Sequence, residues 1–228
     1  MTPSFSSIGI LGGMGPEVTA EFYRRVIRIF QRQFGCRNDC DYPEIFIYNL
    51  PLPEVVSFVD DRAVQSLQSG IVKLEAMGPS FIVCPCNTAS TFFSKLKFNV
   101  PYVCIFDAAI EKVLSKKVLI LGTEQTIGSG EYQKRLSKKG KKYVVPSSED
   151  QRIVTQVLLN ILSGKKLFRD KMILKSIIAQ TKTEETILGC TELPLLINGL
   201  ALIDTVQSLA EATVAYSAKN YIKTIKLK

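Results

Sequence analysis

The chain has 228 residues, of which 46% are hydrophobic and 22% charged, and its 29 basic against 21 acidic side chains leave a formal net charge of +8. That length suits one large domain or two of about 100 residues, each with its own core, and no apolar run approaches the ~20 residues needed to cross a bilayer. Histidine is absent, so proton chemistry near neutral pH falls to Cys, Asp, Glu, Lys or Tyr, and histidine-containing metal sites are excluded.

The basic excess is scattered, as in "SKKGKK" (137–142) and the tail "KTIKLK". No aromatic-basic stripe or nucleic-acid motif accompanies it, so a solvated surface is expected, with no nucleic-acid partner and no membrane. The opening "MTPSFSSIGILGGMGP" places no basic stretch ahead of its apolar run and reads as a strand entering a glycine turn rather than a secretion signal. A cytoplasmic protein is expected, and its six cysteines are then free thiols, catalytic groups or metal ligands rather than disulfides.

In chain order, β-branched runs alternate with amphipathic segments. "SIGILG" is followed by a helical pattern over 17–34, "EIFIYNL" by one over 60–77, "FIVCPC" by 88–96 and "YVCIF" by 107–115. The order then resumes: "KVLILGT" with a helix over 129–139, "KKYVVP" with a long helical stretch broken at "SGKK" (163–166), "ETILGC", then "ALIDT" before a last helix. Continuous apolar strands separated by helices predict an α/β protein with parallel sheet covered on both faces.

The two series align with each other. "IGILGGMGPEVTAEFYRR" matches "VLILGTEQTIGSGEYQKR"; Ile8 and Val118 lie 110 residues apart, Cys86 and Cys190 lie 104 apart. This internal repeat predicts two pseudo-symmetric halves with a thiol at matching places. Ligands of open parallel sheets gather at the carboxyl ends of strands. Cys86 sits there, ahead of Asn87, Thr88, Ala89 and Ser90, which are good helix starters; Cys190 ends "TILG", ahead of Thr191 and Glu192.

A helix amino terminus lowers a thiol from its usual ~8.5, so each sulfur is expected to be a usable base. Inverting a stereocentre needs a base on one face of the carbon and an acid on the other, a demand that a thiolate and a thiol across a cleft satisfy. Asn87, Thr88, Thr191 and nearby backbone N–H groups are then expected to hold a substrate α-carboxylate and stabilise its enolate-like charge, with Thr123 and Thr126 placed for the same duty. Glu192 suits a substrate ammonium, or serves only as a first-turn acid. Met14 is expected to line the cleft.

Cys36, Cys40, Cys84 and Cys104 read as small buried hydrophobes. "CRNDC" and "CPC" lack the usual spacing of zinc knuckles, so no metal is expected. "GILGGMGP" fails the dinucleotide fingerprint, since Val18 stands three residues after Gly15 and the second strand ends in Asn49 rather than an acid. A noncatalytic small-carboxylate-binding protein is the alternative from a different class.

At "GILGGMGP" (Gly9 to Pro16), "PCNTA" (Pro85 to Ala89) and "GCTE" (Gly189 to Glu192), the chain resembles the aspartate/glutamate racemase superfamily, most closely its aspartate racemases. The resemblance implies two pseudo-symmetric α/β domains with the active site between them, no cofactor, a small acidic amino acid as substrate, a homodimer, and Cys86 and Cys190 as the acid/base pair. It also implies discontinuous domains, 1–107 with 207–228 and 108–206, because the last helix returns to the first domain. Glutamate, hydantoin or other carboxylate racemases and isomerases share parts of the pattern. Ser90 stands where many relatives have histidine. Glu54, Val55 and Val56 stand near the place of an expected arginine, with Arg62 farther on, which leaves the group gripping a distal carboxylate unassigned; Lys165 and Lys166 are more in keeping with a solvated helix end.

Overall fold

A computed structural model describes residues 5–52, 61–165 and 167–219. Lys166, Glu54 to Val56 and the basic tail lie outside the described residues. The first half runs β1 (Ile8–Gly12), α1 (Pro16–Phe34), β2 (Ile45–Asn49), α2 (Asp61–Glu75), β3 (Phe81–Val83), α3 (Asn87–Ser90), β4 (Tyr102–Val103) and α4 (Ile105–Ile110). The second runs β5 (Lys117–Gly122), α5 (Glu124–Gly128), α6 (Glu131–Lys138), β6 (Lys142–Val144), α7 (Ser148–Leu162), α8 (Phe168–Gln180), β7 (Glu185–Gly189), β8 (Leu202–Asp204) and α9 (Thr205–Ser217). Each half forms a four-stranded, wholly parallel sheet, ordered β2-β1-β3-β4 and β6-β5-β7-β8. The α/β architecture expected from the sequence is therefore present twice, with the same strand order.

The central strands β1 and β5 carry unbroken apolar runs because helices cover both faces. Helix α1 starts with Pro at its first turn and stops at Gly35, whose left-handed φ of 69° lets its N–H reach Gln31 O. Its buried stripe of Val18, Phe22, Val26, Ile29 and Phe30 faces the core. No described helix is long and apolar enough to cross a membrane.

Three expected elements differ. The helix over 88–96 is only α3 followed by a 3-10 turn at Phe93–Lys95. "YVCIF" yields a two-residue strand, after which Cys104 starts α4; all of α4 except Asp107 is buried, and a short buried apolar run does not distinguish strand from helix. Before α6, the short helix α5 forms because the Thr123 hydroxyl accepts the Thr126 N–H at 3.1 Å, and Gly130, at φ 70°, separates the two helices.

The closing helices of the halves are exchanged. Helix α4 leaves the first sheet and packs on α6 of the second half, while α9 leaves the second sheet and packs on α1; α4 and α9 also pack on one another. One buried cluster accordingly runs through both halves, from Ile8, Phe22 and Phe30 to Ile120, Tyr132, Val206, Leu209 and Val214. At about 1.5–3 kcal/mol for each fully buried large apolar side chain, this cluster dominates the junction.

Ion pairs repeat the exchange at the surface. Arg25 donates to Glu21 at 2.9 Å and to Asp204 at 2.5 Å, tying α1 to the start of α9. Arg135, its counterpart 110 residues later, bonds Glu131 on its own helix and Asp107 of α4 at 2.7 Å. These half-exposed pairs contribute roughly 0–1 kcal/mol each and mainly fix orientation. Asp204 adds a cap, accepting the Val206 and Gln207 N–H groups at 2.9 and 3.1 Å.

Replacing Asp204 by Ala is expected to lower unfolding free energy by about 1–2 kcal/mol, mostly through the lost cap, and Asp204→Asn by less. Urea denaturation checks this; an unchanged midpoint in Asp204→Ala would remove the capping role.

Candidate active site

The loops after β1, β3, β5 and β7 meet between the halves. Register shows that the repeat is exact at the thiols: Phe81 lies opposite Ile8 and Glu185 opposite Val118, with Cys86 and Cys190 each five residues further along. On this scheme Asn87 corresponds to Thr191, and Thr88 to Glu192. Gly13 holds the first loop at φ 94°, where a Cβ would meet Leu50 O at 2.5 Å. The loop is pinned by Thr19, whose hydroxyl accepts the Gly13 N–H at 2.9 Å and donates to Gly15 O at 3.0 Å. Met14 packs against the apolar cluster that includes Cys86.

Cys86 begins α3, and its sulfur accepts the Ala89 N–H at 3.4 Å. Ser90 donates to the Cys86 carbonyl at 2.7 Å rather than to the sulfur. Opposite, the Cys190 thiol donates to Glu192 Oε2 at 2.9 Å, and the Thr191 hydroxyl donates to the same oxygen at 3.2 Å. The Gly15 amide also donates to the Glu192 carboxylate, so the first loop of one half is fastened to the second thiol motif of the other.

The corresponding clasp on the other side is uncharged. Thr88 lies 3.0 Å from the Thr123 hydroxyl and 3.4 Å from that of Thr126, and Thr123 donates to Thr126 at 3.0 Å. Asn87 is held on both sides: Tyr132 donates to its Oδ1 at 2.6 Å, and its Nδ2 donates to Thr205 Oγ1 at 3.1 Å. One amide hydrogen and the backbone N–H of Asn87 remain for other partners.

Eight of the nine residues expected at the site, Cys86, Asn87, Thr88, Thr123, Thr126, Cys190, Thr191 and Glu192, are brought together and buried, while Met14 is half-buried at the edge. Lys165 is exposed. Tyr132 and Thr205 escaped the sequence reading. The one signal for Tyr132 is that it stands where Phe22 stands in the first copy of the repeat.

The charges are arranged against thiolate formation in the unliganded protein. Burial, reinforced by the Glu192 carboxylate, pushes the Cys86 thiol up to about 12 despite the Ala89 and Thr88 N–H groups that favour its ionised form. Cys190 is driven well above the ordinary thiol range by burial, then by Glu192, with Cys86 adding to it. Burial likewise raises Glu192, against the donors around it. The N–H groups at the start of α3 favour the Cys86 thiolate as expected, but α3 has only four residues and desolvation outweighs them. Among the described residues, no Lys or Arg is a leading influence on Cys86, Cys190 or Glu192.

Two α/β halves thus bring a thiol at each matching strand end to one site between them. The family model for Asp/Glu/hydantoin racemases matches residues 11–213, and the chain belongs to that family. It is an amino-acid racemase, hence an isomerase, of a family independent of pyridoxal phosphate. A broad-specificity amino-acid racemase of Bacillus subtilis is 32% identical over 91% of this chain and 96% of its own length. Among solved structures, an aspartate racemase of Picrophilus torridus aligns with TM-score 0.79 and 25% identity over 95% of this chain and 98% of its own. An aspartate racemase homologue from Pyrococcus horikoshii gives 0.75 and 28% over 94% and 100%. A Campylobacter jejuni glutamate racemase, at 0.65 and 22% identity over 90% and 84%, shares the fold.

Raised thiols have a stability signature. Between about pH 9 and 12 the unfolded chain releases the Cys86 proton while the folded protein holds it, so stability is complete below the unfolded value and is lost as pH rises through that window. Denaturation midpoints of wild type and Cys86→Ala, measured from pH 8 to 11, are expected to converge as pH rises. Parallel curves would contradict the buried, protonated thiol.

Proposed function

We propose that the chain racemises amino acids by a two-base mechanism in which Cys86 and Cys190 take and return the α-proton from opposite faces, with aspartate as the leading substrate. The observation that carries this is the burial of both thiols at equivalent strand ends of the two halves. One sulfur, as thiolate, forms an S–H bond as the Cα–H bond breaks, and the electron pair spreads into the α-carboxylate. The opposite S–H then gives its proton to the other face. The backbone N–H of Asn87 and its spare amide hydrogen are the donors for the carboxylate, with Thr88 and Thr191 flanking it. Thr123 and Thr126 hold Thr88, Met14 flanks Cys86, and Glu192 receives the substrate ammonium.

An amino-acid ammonium supplies a positive charge beside these groups. Its arrival beside Glu192 offsets the carboxylate that raises both thiols, so the thiolate forms when substrate is bound. Aspartate is supported by the sequence resemblance and by the name of the Picrophilus torridus neighbour. A broader range that includes neutral amino acids is a second reading. It is favoured by the described residues, among which no Lys or Arg is a leading influence on the thiols and Glu192, by "PEVVSFVD" (53–60), which contains no Lys or Arg, and by the broad-specificity relative.

Domains of 1–107 with 207–228 and of 108–206 are part of this proposal; the packing of α9 on α1 supports the return of the last helix. So are a cytoplasmic location and a homodimer, for which light scattering should give twice the 25.4 kDa chain mass.

Incubation of purified protein with L-aspartate in heavy water, without added cofactor, is expected to yield D-aspartate with deuterium at the α-carbon. A panel with glutamate and neutral amino acids separates the two substrate readings. Cys86→Ser and Cys190→Ser should each lower turnover by at least about 10³-fold, since a hydroxyl is far less acidic than a thiol. Full activity in either variant would remove that cysteine from the acid/base role.

A further inference from the structure

The two thiols are equivalent by position and unlike in their partners. Cys86 Sγ accepts a backbone N–H at 3.4 Å, a contact that favours its ionised form and partly offsets burial. Cys190 Sγ is itself the donor, to Glu192 at 2.9 Å, the arrangement of a sulfur that keeps its hydrogen. The difference arises at one pair of repeat positions. Thr88 turns its hydroxyl toward Thr123 and Thr126 and leaves Cys86 alone. Its counterpart Glu192 reaches back two residues to the neighbouring thiol. Glu192 is 7% exposed and is fixed by the Thr191 hydroxyl and the Gly15 amide, so its oxygen is not free to swing away.

We propose that Glu192, besides receiving the ammonium, holds Cys190 as the thiol, so that Cys86 is the sulfur that ionises first when substrate binds and acts as the base. This rests on the two-cysteine reading above. Besides Glu192, the titratable groups whose charge bears on Cys190 are Cys86 and, through its hydroxyl, Tyr132. In the forward step Cys86 gains the α-proton and Cys190 loses its own, which places a thiolate beside the buried carboxylate. That like-charge pair makes the second protonation form the higher in energy, and the proton returns to Cys190 in the reverse turnover or after product leaves. Two enantiomers have equal free energy, so kcat/KM is the same in both directions whatever Glu192 does. The asymmetry has to be read from the sulfurs themselves.

Limited labelling with neutral iodoacetamide at pH 8, followed by peptide mapping, reads it without turnover. Wild type is expected to label at Cys86 at least about 10-fold faster than at Cys190, a gap equal to one unit of thiol acidity. Glu192→Gln, which keeps the shape and removes the charge, should raise the Cys190 rate about 10-fold relative to Cys86. Glu192→Asp, which keeps the charge but retracts the oxygen, should move the ratio in the same direction by less, and serves if the Gln variant does not fold. Faster labelling of Cys190 in wild type, or a ratio unchanged within about 2-fold in the folded variants, would overturn the proposal. Loss of racemisation in the cysteine variants alongside an unchanged labelling ratio would sink the role of Glu192 and leave the two-base mechanism standing; full racemisation in a cysteine variant would do the reverse.

Discussion

Everything at the site depends on the exchange of closing helices between the halves. Each parallel sheet could be covered by its own helices, yet α4 packs on α6 and α9 on α1, with α4 and α9 in contact at the centre. The core that results is shared from Phe22 and Phe30 to Tyr132 and Val214. Separating the halves would expose that apolar surface, at roughly 25 cal/mol per Å². The same packing aims the carboxyl ends of β3 and β7 at one another, which is how residues 104 apart in sequence come to share a site.

A second consequence is chemical. The halves close over polar groups that have no water to fall back on, so nearly every one is paired across the junction: Asn87 with Tyr132 and Thr205, Thr88 with Thr123 and Thr126, Glu192 with Gly15. Buried groups of this kind are costly unless satisfied, which makes the junction specific as well as apolar. The unsolved electrostatic demand is the negative charge of Glu192 and of whichever thiol ionises. In the proposed mechanism an amino acid brings an ammonium for the Glu192 carboxylate and a carboxylate for the N–H groups, which ties the proposal to this junction as well as to the thiols.

Much of this was legible in the sequence. The match of "IGILGGMGP" with "VLILGTEQT" gave the duplication, and the matched cysteines gave the site, because strand ends and glycine turns are local features with strong residue preferences. The end of α3 and the strand–helix switch at Cys104 were not legible: Val103 to Phe106 is apolar throughout, and only the tertiary crossing of α4 decides its conformation. The state of the thiols was misjudged for a related reason. A helix amino terminus is visible in "CNTAS", whereas the desolvation that outweighs it depends on the other half folding over Cys86. Tyr132 went unnoticed because it differs from its repeat partner Phe22 by one hydroxyl, which matters only when Asn87 lies within 2.6 Å.

The claim at the centre is geometric: two sulfurs flank a single carbon. A crystal structure of the enzyme with L-aspartate bound, determined with one cysteine replaced to halt turnover, tests it directly. The account predicts the remaining sulfur about 3.5 Å from Cα on one face, and the replaced side chain at a similar distance on the opposite face. Both side chains on the same face of the carbon, or one of them out of reach of it, would contradict the account.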